Sequence, residues 1–130
     1  MDASCQTILI IDDDTNIRKM TSMRLERAGY RVVASGNGDE GVQLAKREHP
    51  GAIVLDFLMP DMDGREVLRR LKADPQTCTI PVILLTVMRP EDGLYDSITP
   101  EQATHVPKPY KTGDLLSAVQ AAVSMNGNGA

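Results

Sequence analysis

Apolar residues along this chain follow two alternating patterns: short unbroken runs, and longer stretches where they recur every three or four positions. The runs read as buried strands and the spaced stretches as amphipathic helices. Ile8-Leu9-Ile10-Ile11 is the first run, too short for a helix and apolar on both faces, as a central parallel strand should be. It gives way to Asp12-Asp13-Asp14-Thr15, acids and a hydroxyl that suit a helix N-terminus. The spacing predicts a helix from there to about residue 28, with Ile17, Met20, Leu25 and Ala28 inward and Gly29 as the stop. Residues 30–34 read as a second strand, and Asn37-Gly38 as a turn into a helix over 40–48 with Val42 and Ala45 inward. Pro50-Gly51 punctuates before a third strand over 52–56. A helix starting at Asp63 or Gly64 carries Val67, Leu68 and Leu71 inward and stops before Asp74-Pro75. A fourth strand is predicted over 80–86, with Pro81 near its start, where the missing N–H matters least. Pro90, Gly93 and Pro100 interrupt the segment 87–103, in which a short helix is expected over 91–97. A fifth strand covers 104–107, and a last helix runs from 112 to about 125 with Leu115, Leu116, Val119, Ala122 and Val123 on one stripe. The remaining Asn126-Gly127-Asn128-Gly129-Ala130 reads as a frayed tail or the start of a linker, so one domain is expected over 1–125.

Strands alternating with helices through short connections imply right-handed crossovers and a parallel sheet covered by helices on both faces. In such open sheets the ligand site lies beyond the carboxyl ends of the strands, where the strand order switches. Those ends are Asp12-Asp13-Asp14 after the first strand, Asp56 closing the third, Thr86 closing the fourth and Lys108 just past the fifth.

Composition narrows the field. With 130 residues, 42% hydrophobic and 25% charged, the chain suits one folded domain rather than a disordered segment. A net charge of −4 argues against direct binding of nucleic acid or an anionic membrane by this domain, both of which need a basic face. Cys5 and Cys78 form no metal or redox spacing and read as free thiols of a reducing compartment. No signal-like start is present, and no apolar run approaches the roughly 20 residues that span a bilayer, so a cytoplasmic location is expected.

A charge at the last rung of a buried strand is costly unless compensated. Carboxylates gathered at one crevice repel, and oxygen donors without His or Cys favour Mg²⁺ as the neutralising cation. A hydroxyl at Thr86 and an ammonium at Lys108 are left for a group with surplus oxygens, and a phosphoryl group fits. The order Asp12-Asp13, Asp56 within LDFLMPDMDG, Thr86 within ILLT and Lys108 within KP resembles the receiver domain of two-component response regulators, over nearly the whole chain.

The resemblance implies a flavodoxin-like, doubly wound fold with a five-stranded parallel sheet of order 2-1-3-4-5. It implies that Asp56 accepts a phosphoryl group from a sensor histidine kinase or phosphotransfer protein in a phosphorelay. Mg²⁺ would be held by Asp13, Asp56 and the backbone carbonyl of Leu58, with Asp12 acting mainly through water. Thr86 would be the switch hydroxyl and Lys108 the phosphoryl contact. The face built from the segment 87–103, the fifth strand and the last helix would then change shape for a downstream protein or a further output domain. No turnover of a separate substrate is expected, only phosphorylation and dephosphorylation at Asp56.

Some positions depart from the family pattern. His105 stands where Tyr or Phe is usual, and reads either as an exposed edge residue or as a pH-sensitive partner of the switch. Leu58, Val87 and Met88 are apolar at positions around the acceptor; they read as a barrier that slows loss of the phosphoryl group, or as ordinary variation. Pro100 and Gln102 fall where the family's next-to-last helix closes, so that helix is expected to be short, displaced or partly unwound.

Two rival readings remain at this point. An interaction module of the same shape that is never phosphorylated would keep the fold without the chemistry. A phosphohydrolase of the haloacid-dehalogenase type would share the acidic first motif, but Asn16 replaces its Thr or Val, and Asp114 is alone and too near Lys108 to supply its late acidic pair.

Overall fold

The computed structural model describes residues 6–56, 64–86, 104–107 and 112–128. Their elements follow in the order β1 (Thr7–Ile11), α1 (Thr15–Arg27), β2 (Arg31–Ser35), α2 (Gly38–Glu48), β3 (Ala52–Asp56), α3 (Gly64–Ala73), β4 (Val82–Thr86), β5 (Thr104–Pro107) and α4 (Thr112–Asn128). The strands form one parallel sheet of order β2-β1-β3-β4-β5. The expected strand order and doubly wound architecture are both present.

The period of two along each strand splits the core in half. Leu9, Ile11, Ile53, Leu55, Val82 and Leu84 share one face, buried against Val42 and Ala45 of α2 and Val67, Leu68 and Leu71 of α3. Ile8, Ile10, Val54, Ile83, Leu85 and Val106 share the other, buried against Leu25 of α1 and Leu115, Val119, Ala122 and Val123 of α4. Register accounts for this, since Leu9 pairs with Ile53 and Ile53 with Val82, so like faces align from strand to strand. β2 at the sheet edge is less buried, as an edge strand can be.

Element boundaries move slightly from their predicted places. β2 begins and ends one residue later, and α2 begins at Gly38 because Asn37 caps it by accepting from the Glu40 N–H at 3.0 Å. β4 begins at Val82, although the preceding Pro81 still supplies its carbonyl to the Ile53 N–H at 2.9 Å. α4 continues through Asn128, three residues past its expected end. Asn and Gly lower helix propensity by under about 1 kcal/mol each, too little to stop a helix already anchored by a buried face.

The inward face of α1 needs a larger correction. Met20 is 50% exposed and Ala28 lies outside the helix as its cap, while Thr21 is buried with Leu25. The core-facing row follows the i, i+4 spacing of residues 17, 21 and 25, so position on the helix outweighs the polarity of Thr21. Met20 falls to the flank, with Met23 also half exposed.

α2 meets β1 where there is no room for a side chain. A methyl group added to buried Gly41 would lie 2.5 Å from Ile11 Cδ1 and 2.7 Å from its Cγ1, so rotation of one bond does not clear it. Gly41→Ala gains about 1 kcal/mol of helix propensity and loses about 1–3 kcal/mol to overpacking. A lower urea midpoint is expected; a raised midpoint would show that Ile11 relaxes freely.

Ion pairs join α2 to α3 on the outside. Lys46 meets Asp74 at 3.0 Å, and Arg70 bridges Asp39 and Glu66. Hydrogen bonds from Arg69 and then Arg70 pull the Glu66 carboxyl down from its ordinary 4.5 to about 2. A lowered carboxyl stabilises the fold above the unfolded value and loses that contribution as pH falls through the folded value, here the window from 4.5 toward about 2. Because Glu66 is only half-buried and open to solvent, the effect should be read in its own titration. An NMR midpoint well below 4.5 that rises in Arg69→Ala is expected, and a wild-type midpoint at 4.5 would contradict the pairing.

Candidate functional site

Three strand ends meet at one edge of the sheet. β1 and β3 are neighbours, with Ile11 opposite Leu55, so Asp12 leaves β1 beside Asp56 at the end of β3. The carboxylates of Asp12, Asp13 and Asp56 offer oxygens that all lie within 4.8 Å of one another. Asp12 is 2% exposed and Asp56 7%, while Asp13 is more open to solvent. Acids this close and this buried repel one another, and a hard divalent cation is the natural counter-charge. The donor set, carboxylate oxygens with no His or Cys in the cluster, suits Mg²⁺ and fits poorly to softer metals.

Local hydrogen bonds set the acid turn. The Asp12 N–H donates to the Ser35 carbonyl at 3.0 Å, adding a contact to β2 beyond the end of β1. Asp12 Oδ1 accepts from the Asp14 N–H at 2.9 Å. Asp14 itself caps α1, its Oδ1 accepting from the Ile17 N–H at 3.1 Å. The third acid of the run is therefore the helix cap and is not among the three clustered carboxylates.

β4 brings its end to the same edge. Asp56 is paired with Leu85, and Thr86 follows as the last residue of β4, opposite Pro107 of β5. His105 is opposite Leu84 in the same ladder. These pairings give backbone positions only. Leu58, Val87, Met88 and Lys108 lie outside the described residues, as does the expected short helix over 91–97.

Sequence reading missed two participants. Ser35 is buried at the end of β2; its hydroxyl donates to Glu40 Oε1 at 2.7 Å and accepts from the Asn37 N–H at 3.1 Å, tying the strand to the start of α2. Arg18 reaches back from α1, and its guanidinium donates to the Asp12 carbonyl at 2.6 Å. The available signal for Arg18 was a basic side chain one helical turn past the cap of a helix that follows three acids.

Comparison with known proteins agrees with this fold. A family model described as the response regulator receiver domain matches residues 8–120. The phosphate regulon transcriptional regulatory protein PhoB of Pseudomonas aeruginosa is 33% identical over 95% of this chain, which spans about half (54%) of that protein's length. Protein PilH of the same organism is 34% identical, with 90% of this chain and 97% of PilH aligned. Among solved structures, the receiver domain of a sensor histidine kinase from P. aeruginosa, with a magnesium ion coordinated in its active-site cleft, superposes with a TM-score of 0.78 at 27% identity, covering 92% of this chain and 98% of that one. Among the described residues, no helix is long and apolar enough to cross a membrane.

Proposed function

The chain belongs to the response regulator receiver domain family, and from that premise we propose that Asp56 is its phosphoryl acceptor. The observation that carries this reading is the set of three carboxylates from the ends of β1 and β3 within 4.8 Å of one another. Asp13, Asp56 and the backbone carbonyl of Leu58 would hold Mg²⁺, with Asp12 reaching it through water. When bound, the cation supplies neutralising charge for the oxygens of the incoming phosphoryl group.

The chain's own residues do the rest. A carboxylate oxygen of Asp56 attacks phosphorus, in line with the bond to the donor nitrogen of a phosphohistidine. That bond breaks with its electron pair on the imidazole, and the product is a mixed anhydride on Asp56. Burial of Asp56 at the strand end limits the water that could compete. Lys108 contacts a phosphoryl oxygen and Thr86 donates its hydroxyl to another. Bonds made only in the phosphorylated state then shift the population of two arrangements of the 87–103 segment, β5 and α4. Leu58, Val87 and Met88 act as the barrier to hydrolysis, and His105 takes the place of the usual aromatic partner of the switch.

A histidine kinase or phosphotransfer protein is the donor in this reading, and a downstream protein or an output domain is the receiver of the shape change. No separate substrate is turned over, and the setting is the cytoplasm. The test is incubation with acetyl phosphate and Mg²⁺ followed by intact mass measurement. A gain of one phosphoryl group in wild type and none in Asp56→Ala is expected; an equal gain in the variant would overturn the assignment.

A further inference from the structure

We propose that Arg18 is a positioning residue for the acid cluster, seated on Gly36 and acting through the backbone of Asp12; the proposal rests on the reading of that cluster as a Mg²⁺ site. The guanidinium of Arg18 donates to the Asp12 carbonyl oxygen at 2.6 Å and makes a longer contact to Thr15 Oγ1 at 3.4 Å. Asp12 is thus held from two sides, its N–H by the Ser35 carbonyl at 3.0 Å and its own carbonyl by Arg18. Those two bonds fix the peptide planes on either side of Asp12. The second of those planes is the one from which Asp13 projects, so fixing it fixes where the Asp13 carboxylate starts.

Placement of the charge matters as well. A cation inserted among the three carboxylates would compete with a metal. The observed bond is instead to a backbone oxygen, which brings a positive charge to the turn through its main chain. A planar fork with several donors suits this task, because one group can serve both the carbonyl and the hydroxyl.

Gly36 provides the space. A methyl group there would fall 2.7 Å from Arg18 Nη1 and 3.3 Å from Cζ. Its φ is not in the left-handed region, where only Gly29 among the described glycines lies, so an alanine at 36 meets the guanidinium and not backbone strain. Two distant positions in sequence therefore act on one hydrogen bond.

The experiment is Mg²⁺ titration by calorimetry on wild type, Arg18→Met, Arg18→Lys, Gly36→Ala and the Arg18→Met/Gly36→Ala double variant, each with a urea unfolding curve in EDTA. Loss of an outer partner of a metal ligand weakens metal binding by about 10–100-fold. Arg18→Met is expected to weaken Mg²⁺ binding by about 10-fold, at the low end of that range, and Gly36→Ala by less, because the added methyl meets only the tip of the flexible Arg18 side chain. The double variant should be no weaker than Arg18→Met alone, and Arg18→Lys should recover part of the loss. Unchanged Mg²⁺ affinity with a lowered urea midpoint would overturn the proposal and leave Arg18 a structural staple. Losses that multiply in the double variant would overturn the role of Gly36. Should Arg18→Met fail to fold, Arg18→Gln decides by the same readout. Asp13→Asn separates the two levels: if it abolishes Mg²⁺ binding while Arg18→Met does not weaken it, the metal site stands and the proposal falls. If wild type binds no Mg²⁺, both fall.

Discussion

Asp13→Asn is expected to make the metal-free protein more stable and to remove its response to Mg²⁺. Asp13 shares its crevice with Asp12 and Asp56, all three offering oxygens within 4.8 Å of one another. Two ionised carboxylates at about 5 Å repel by about 3 kcal/mol at an effective dielectric constant near 20 and by under about 1 kcal/mol in bulk water. The openness of Asp13 to solvent favours the lower figure, so a gain of about 1 kcal/mol is expected in EDTA. The opposite holds with the cation. A ligand that binds only the folded state adds about 2.7 kcal/mol at a hundredfold excess over its Kd. Wild type should show such a gain on saturation, whereas Asp13→Asn should show almost none. Urea unfolding of both proteins in EDTA and in excess Mg²⁺ gives all four values. A variant less stable than wild type in EDTA, or equally stabilised by Mg²⁺, would contradict the picture of a repulsive site relieved by metal.

Leu55→Ala carries the largest expected loss of stability. Leu55 is fully buried in the central strand β3, between Ile11 of β1 and Leu84 of β4, and directly precedes Asp56. Emptying such a site costs about 2–5 kcal/mol, from lost burial and from the cavity left behind. That is a large part of the 5–15 kcal/mol typical of a whole domain. Val32→Ala on the edge strand β2, where the side chain is only partly buried, should cost under about half as much. Urea unfolding of the two variants checks the ranking, and equal losses would mean that the central strand is not the mechanical base of the site.

The strands around the site were legible because their signals are local. Ala52 to Asp56 is an apolar run fenced by Pro50-Gly51, and its burial on both faces is what a continuous run predicts. α3 was equally plain, since Val67, Leu68 and Leu71 form one stripe and Asp74-Pro75 ends it. That the sheet is parallel followed from alternation, and with it the gathering of Asp12, Asp13 and Asp56 at the strand ends, whereas the strand order came only with the family resemblance. α1 was harder to read. Its core row passes through Thr21, a polar residue, while the apolar Met20 and Met23 stand at the flank, so side-chain type misleads there. Ser35 and Arg18 were missed for another reason, although the position of Arg18 one turn past the cap was a weak signal. Their partners, Glu40 and the Asp12 carbonyl, are fixed by how helices settle on strand ends, and no residue pattern announces a bond to a backbone oxygen.

Asp56 is expected to receive a phosphoryl group only when a divalent cation is present. The most direct measurement is reaction with phosphoramidate in Mg²⁺ and in EDTA, then borohydride reduction and peptide mass mapping to locate the acyl phosphate. Label is expected at Asp56 alone, present with Mg²⁺ and absent in EDTA. Label at Asp12, at Asp13 or elsewhere, or equal label at Asp56 without the cation, would contradict it.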